Sequence, residues 1–114
     1  MTDEQRLHPR LTRRFDAALG SASGRCGVRI TSLSLGGCFV AAPTAPPVGS
    51  RVVVELQFES VIRVALRGEV VHVTDASGCG VQFVDTSLVE EELLGRGLRL
   101  AGLNDPFGRL PHRN

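Results

Sequence analysis

Several residue types are missing from this chain of 114 residues, and each absence excludes a class of function. Lys, Trp and Tyr do not occur, and the five aromatic residues are all Phe. Without Lys the sequence has no Walker-type phosphate-binding motif, and it has no Gly-Xaa-Ser-Xaa-Gly nucleophile elbow. The formal net charge is only +1, whereas a general nucleic-acid binder is usually strongly basic. The composition predicts a protein that is not an enzyme and has no DNA or RNA partner.

Metal-binding patterns and membrane signals are missing as well. The three cysteines form no Cys-Xaa-Xaa-Cys pair, and the three histidines do not complete a zinc-finger spacing, so no metal or cofactor is expected. The cysteines are Cys26, Cys38 and Cys79, and we predict free, buried thiols in a reducing compartment. No run approaches the roughly 18 apolar residues of a membrane span, and residues 1–9 lack the apolar core of a secretory signal. A cytoplasmic protein that does not insert into the membrane is expected.

The length supports one domain, which we divide into three segments. Residues 1–12 are predicted to be a mobile arm, residues 13–101 the folded unit, and residues 102–114 a loose tail. Alternating apolar and polar residues between Gly, Pro and Ser turns predict short strands at 15–19, 26–31, 38–41, 51–58, 62–73 and 79–83. Only three residues separate the fourth and fifth strands, which favours a hairpin.

One helix is predicted after the last strand. Ser87 and Glu90 form a capping-box pattern, and a stripe of leucines follows it. Gly95 and Gly97 lie within this segment and could end the helix early. Several short strands followed by one helix predict a small antiparallel barrel or sandwich with a terminal helix.

Two polar segments could bind an anion. The first is an Arg-Xaa-Xaa-Xaa-Arg pattern formed by Arg6 and Arg10, whose guanidinium groups could bind a phosphate or the O6 and N7 edge of guanine. Any Arg-rich tail supplies this spacing by itself. The second is the run from Ser32 to Gly37, where hydroxyls and adjacent glycines let backbone N–H groups approach an anion. An ordinary polar turn would look the same.

In this order, however, the two segments resemble the PilZ domain family. That family has an Arg-Xaa-Xaa-Xaa-Arg motif and then an Asp/Asn-Xaa-Ser-Xaa-Xaa-Gly motif, which SLSLGG matches here except at its first residue. The later strings RGEVVHV and GCGVQFVD are also similar. The resemblance covers about residues 5–100. It implies a mainly β protein, a small antiparallel split barrel with a C-terminal helix, that binds the bacterial second messenger cyclic di-GMP.

The resemblance also assigns site residues position by position. The ligand-binding residues it implies are Arg6, Arg10, Ser32, Ser34, Gly36 and Gly37. Because a second Arg-Xaa-Xaa-Xaa-Arg pattern ends at Arg14, Arg13 and Arg14 are additional candidates. Ser32 stands where the family has Asp or Asn, and a hydroxyl is a shorter and weaker acceptor than either.

Two principal functions remain open at this point. In the first, the protein binds cyclic di-GMP, its N-terminal arm orders over the ligand, and the new surface binds an unidentified effector protein. In the second, the departure at Ser32 has abolished nucleotide binding, and the domain acts only as a protein-interaction adaptor. A third reading, a barrel that binds single-stranded nucleic acid, is disfavoured by the missing Tyr and Trp and by the near-neutral charge.

Overall fold

Six strands and one helix make up the fold. A computed structural model describes residues 8–42, 44–74 and 77–108. The strands are β1 (Phe15–Ser21), β2 (Gly24–Leu33), β3 (Gly37–Ala41), β4 (Arg51–Phe58), β5 (Ile62–Thr74) and β6 (Gly78–Phe83), and the helix is α1 (Leu88–Leu100). All strand pairs are antiparallel, and the order β1-β2-β3-β6-β5-β4 closes into a barrel because β4 also pairs with β1. The predicted small antiparallel barrel with a C-terminal helix is confirmed.

Alternation along the strands separates the core from the surface. In β4 every second side chain is buried, and Val54 is fully buried while Val53 beside it is 37% exposed. The same alternation holds in β5 as far as Val70, where a bulge shifts the register between Val70 and His72. A bulge reverses the face to which the following side chains point. Beyond Val70, the side chains of β5 therefore no longer continue the alternation of the first part of the strand.

Helix α1 packs mainly against β5 and β4. Its capping box is formed as predicted: the Ser87 hydroxyl accepts a hydrogen bond from the Glu90 N–H, and the Glu90 carboxylate accepts one from the Ser87 N–H. The helix does not end at Gly95 or Gly97. Both glycines are buried, and a Cβ atom on Gly97 would lie 2.1 Å from the Phe58 ring. Gly97 therefore allows the helix to lie directly on Phe58.

One prediction about the cysteines is wrong. Cys38 and Cys79 are buried and free, as expected, but Cys26 is exposed. Cys26 lies two residues from the turn of the β1–β2 hairpin, on the same side of β2 as the buried Val28 and Ile30. Its cross-strand partner Leu19 is buried, so at this level of the hairpin the core extends over β1 but not over β2. Alternation predicted the correct side of the strand, but not where the core stops.

Residues 102–108 pack against the helix. Pro106 is fully buried, and a Cβ atom on Gly95 would lie 2.5 Å from the Phe107 ring. The Arg99 guanidinium carbon lies 5.5 Å from the centre of the same ring. Residues 102–108, which belong to the predicted tail, therefore cover one side of α1.

Candidate functional site

A cavity of about 320 Å³ lies where β3, β6 and the bulged part of β5 meet. This volume is at the lower end of the range for small-molecule sites. Its walls are Arg10, Ser34, the run 36–39, Val71, His72 and the run 80–82. No carboxylate occurs among these described lining residues, so Arg10 gives the cavity a positive character.

Arg10 is held in the lining of the cavity by the segment around it. The neighbouring Leu11 forms two backbone hydrogen bonds with Leu33 in β2, at 2.8 and 2.9 Å. The Nη1 atom of Arg10 donates a hydrogen bond to the Ser32 hydroxyl. The Nε atom is buried and has no hydrogen-bond partner in the described part of the chain. Since buried polar groups are nearly always paired, this N–H lacks the acceptor that it needs.

A rigid turn from Ser34 to Gly37 forms the adjacent wall. The Ser34 N–H donates to the Gly37 carbonyl at 2.9 Å, and the Gly36 N–H donates to the Ser34 hydroxyl at 3.2 Å. The Ser34 hydroxyl in turn donates to the Gly37 carbonyl at 3.4 Å. Ser34 is 2% exposed, so its hydroxyl is used within the turn. Its role in the site is to position the backbone of Gly36 and Gly37.

The two glycines of this turn are required for different reasons. A Cβ atom on Gly37 would lie 2.3 Å from the Val81 carbonyl oxygen, so only glycine lets β3 approach β6 this closely. A Cβ atom on Gly36 would lie 2.9 Å from Nδ1 of His8. Gly36 therefore leaves room for the segment that carries Arg10. Like Arg10 Nε, the Nδ1 atom of His8 is buried without a hydrogen-bond partner among the described residues.

Two aromatic rings complete the cavity. The rings of Phe39 and His72 have centroids 6.1 Å apart and are tilted by 34°. Gly80 makes the space for His72, because a Cβ atom there would lie 2.3 Å from the imidazole. The sequence analysis did not identify these rings. The loss of alternation near residue 70 was the available signal, since the bulge determines which side of β5 carries His72.

Comparison with known proteins identifies the family. The sequence profile of the PilZ domain matches residues 4–100 of this chain. The chain belongs to the PilZ domain family. No curated protein sequence matches it significantly.

Two solved PilZ structures have the same fold. The PilZ domain of CeSA from a cellulose-synthesizing bacterium superposes with a TM-score of 0.64 and 17% sequence identity, over 82% of this chain and 98% of that one. PlzA of Borreliella burgdorferi, solved in complex with c-di-GMP, superposes with a TM-score of 0.60 and 18% identity, over 81% of this chain and 40% of that one. At these identities the comparison establishes the fold.

The candidate ligand-binding residues do not all line this cavity. Arg10, Ser34, Gly36 and Gly37 line the cavity, and Ser32 adjoins it through its hydrogen bond with Arg10. Arg6 lies outside the described residues. The remaining candidates, Arg13 and Arg14, do not line the cavity. Arg13 instead donates a hydrogen bond to the Ala101 carbonyl at the end of α1, at 2.7 Å, and Arg14 is exposed.

Burial suppresses thiol chemistry at this site. Burial raises the pKa of Cys38 far above its ordinary value, with a smaller contribution from Cys79, and the Arg10 charge opposes the shift. Burial also raises the pKa of the Cys79 thiol. Both groups are therefore neutral at physiological pH; Cys38 contributes apolar bulk to the cavity wall, and Cys79 lies outside the lining.

Residues 8–42, 44–74 and 77–108, the part of the chain that the structure describes, lack two features. They contain no cluster of three His, Cys, Asp or Glu side chains arranged to hold a metal ion. Within the same ranges, no helix has the length and apolar character needed to cross a membrane.

Proposed function

We propose that this PilZ domain is a receptor for cyclic di-GMP and binds it in the cavity beside Arg10. One observation carries the proposal: Ser32 fixes the Arg10 guanidinium beside a cavity whose described lining contains no carboxylate, and the buried Nε–H of Arg10 has no acceptor among the described residues. A phosphate oxygen or a guanine O6 or N7 atom would supply that acceptor. Membership of the PilZ family and the fold shared with PlzA, whose structure contains c-di-GMP, support the same ligand.

The cavity walls suit different parts of this ligand. The Ser34–Gly37 turn supplies the backbone wall of the cavity through Gly36 and Gly37. The rings of Phe39 and His72 offer faces against which a purine can stack, an arrangement typically worth about 1–3 kcal/mol per base. Ser32 remains an acceptor for a base N–H, because a hydroxyl has two lone pairs and Arg10 uses one of them.

The cavity accommodates only part of a dinucleotide, so the N-terminal arm is proposed to cover the rest. In this proposal Arg6 binds the face of the ligand opposite Arg10, and the arm orders when the ligand is present, starting from Arg10 and Leu11, which are already hydrogen-bonded to β2. Charge-assisted hydrogen bonds, at about 1.5–3 kcal/mol each, would offset the entropy lost by the arm. The ordered arm would then form a surface for an effector protein.

The test is isothermal titration with cyclic di-GMP at physiological salt, with GTP as the control ligand. We expect saturable binding by the parent protein and a loss of affinity greater than about ten-fold in Arg10→Ala, since ten-fold corresponds to about 1.4 kcal/mol. Arg51→Ala is the matched control, because Arg51 is exposed on β4 and outside the cavity. Equal affinities for Arg10→Ala and Arg51→Ala would refute the assigned site.

The adaptor function is retained as the second candidate because of Ser32. Its hydroxyl already accepts a hydrogen bond from Arg10, and it is shorter than the Asp or Asn side chain of the family motif. If the parent protein neither releases heat nor gains thermal stability with cyclic di-GMP, the domain is an adaptor that does not bind the nucleotide. Amide hydrogen exchange of residues 1–12 with and without ligand tests arm ordering separately.

A further inference from the structure

Helix α1 carries a line of three apolar side chains and one arginine, a stripe that is exposed at both ends and packs against the core through Leu93 in its middle. Val89 is 69% exposed and Leu100 is 47% exposed. Leu93 is half-buried and Arg96 is exposed between them. These four residues are spaced by four, three and four positions, so they lie in one line along the helix. Val89 and Leu100 are large apolar side chains that the described part of the chain leaves uncovered.

The charges beside this stripe are segregated along the helix. Three acidic residues, Glu90, Glu91 and Glu92, lie in its first half, and two arginines, Arg96 and Arg99, lie in its second half. Glu92 and Arg96 flank the middle of the stripe, and both are exposed. Among the described residues, neither of these two side chains takes part in a salt bridge.

We propose that this stripe is a homodimer interface in which α1 pairs with α1 of a second copy, antiparallel and about a two-fold axis. The axis would cross the helix between Leu94 and Gly95. Val89 would then face Leu100 of the second copy, and Leu93 would face the aliphatic part of Arg96 of the second copy. The same register brings Glu92 next to Arg96 of the second copy, and the symmetry repeats that ion pair.

A second copy is the occupant that the charge pattern selects. A helix that is acidic in one half and basic in the other is complementary to itself when antiparallel, because each half meets the opposite charge. The antiparallel arrangement also places each positive helix N-terminus near a negative C-terminus. An unrelated partner would need the same pattern independently, whereas this chain already carries both halves.

The dimer should be weak. Stable protein interfaces bury about 1,200–2,000 Å² in total, and a 13-residue helix that offers one stripe supplies less than this. Association is therefore expected at high protein concentration and at low ionic strength, which leaves the ion pairs unscreened.

Charge reversal with complementation tests the interface. The full chain is examined by sedimentation equilibrium at low salt, from about 10 µM to about 1 mM, the range in which weak dimers form. We expect the average mass of the parent to rise toward that of a dimer. Glu92→Arg alone and Arg96→Glu alone should each remain monomeric, because each places like charges opposite one another. An equimolar mixture of the two variants should associate as the parent does, since both ion pairs are restored between the unlike chains.

The controls make each failure interpretable. Arg63→Glu reverses a charge on the outer face of β5 and should leave association unchanged, and thermal unfolding shows that each variant is folded. A parent that stays monomeric at the highest concentration would overturn the proposal, as would single variants that associate normally or a mixture that does not associate. No described residue that lines the cavity lies on α1, so at concentrations where the parent is monomeric all variants should bind cyclic di-GMP as the parent does. Failure of the dimer and failure of the nucleotide site are thus distinguishable.

Discussion

Ser32→Asp changes the hydrogen bond that fixes Arg10, and its effect on stability can be estimated. The Ser32 hydroxyl is a neutral acceptor for Arg10 Nη1 in a partly buried position. A hydrogen bond between neutral groups contributes about 0.5–1.5 kcal/mol, and one that involves charged groups about 1.5–3 kcal/mol. Because Arg10 already supplies one charge and the new carboxylate must be partly desolvated, we expect a net gain of about 1 kcal/mol.

The gain should be visible in both stability and affinity. For a domain of this size, about 1 kcal/mol raises the Tm by roughly 4 °C. The carboxylate also restores the acceptor of the family motif, and it holds Arg10 in place before the ligand arrives. We therefore expect Ser32→Asp to bind cyclic di-GMP as tightly as the parent, or up to about five-fold more tightly, the factor that corresponds to about 1 kcal/mol. Differential scanning calorimetry and isothermal titration measure the two effects.

Two further variants separate this contact from the effect of net charge. Ser23→Asp adds the same charge in the exposed turn of the β1–β2 hairpin, and we expect it to leave Tm nearly unchanged and to weaken binding slightly. Ser32→Ala removes the acceptor and should lower both Tm and affinity. A lower Tm for Ser32→Asp than for the parent would refute the reasoning about Arg10. A large loss of affinity would mean that the carboxylate withholds Arg10 from the ligand.

Two other predictions test the core. Gly97→Ala should lower the free energy of unfolding, because the added methyl group overpacks against the buried Phe58 ring at a cost of about 1–3 kcal/mol. This cost outweighs the better helix propensity of alanine, which is worth about 1 kcal/mol. A rise in Tm would contradict this prediction. Cys26 should be the single thiol that reacts rapidly with a colorimetric thiol reagent at pH 8, with all three reacting in denaturant. Burial raises the pKa of Cys38 and Cys79, so rapid reaction of three thiols in the folded protein would contradict the described core.

Local patterns predicted the elements well, because each element depends on few neighbours. Alternation located β4 and β5, and the capping box fixed the start of α1 at Ser87. Closure of the barrel depends on the pairing of β1 with β4, for example Leu19 with Val54. These residues are far apart in the sequence, and no local pattern specifies that they pair. The resemblance to PilZ domains, and not the periodicity, distinguished a closed barrel from a sandwich.

The site was predictable only where it is continuous in sequence. The motif residues Ser34, Gly36 and Gly37 form one turn, so a motif comparison finds them together. Phe39 and His72 come from strands that are not paired with each other; both are adjacent to β6, which brings them to one cavity. Their proximity also requires the bulge in β5. A pattern read along the chain shows neither the shared neighbour nor the bulge.

The segment that carries Arg10 also connects the cavity to the helix. Arg10 bonds to Ser32 at the cavity, and Arg13, three residues later, bonds to the Ala101 carbonyl at the end of α1. If the nucleotide changes the position of this segment, Arg13 carries the change to the helix that we propose as the dimer interface. Coupling between two binding events is reciprocal. Nucleotide binding would then change the dimerisation constant by the same factor by which dimerisation changes the affinity for the nucleotide. Arg13→Ala should abolish that factor while preserving both binding events, and sedimentation with and without cyclic di-GMP measures it. An unchanged factor in this variant would show that any coupling follows another route through the barrel.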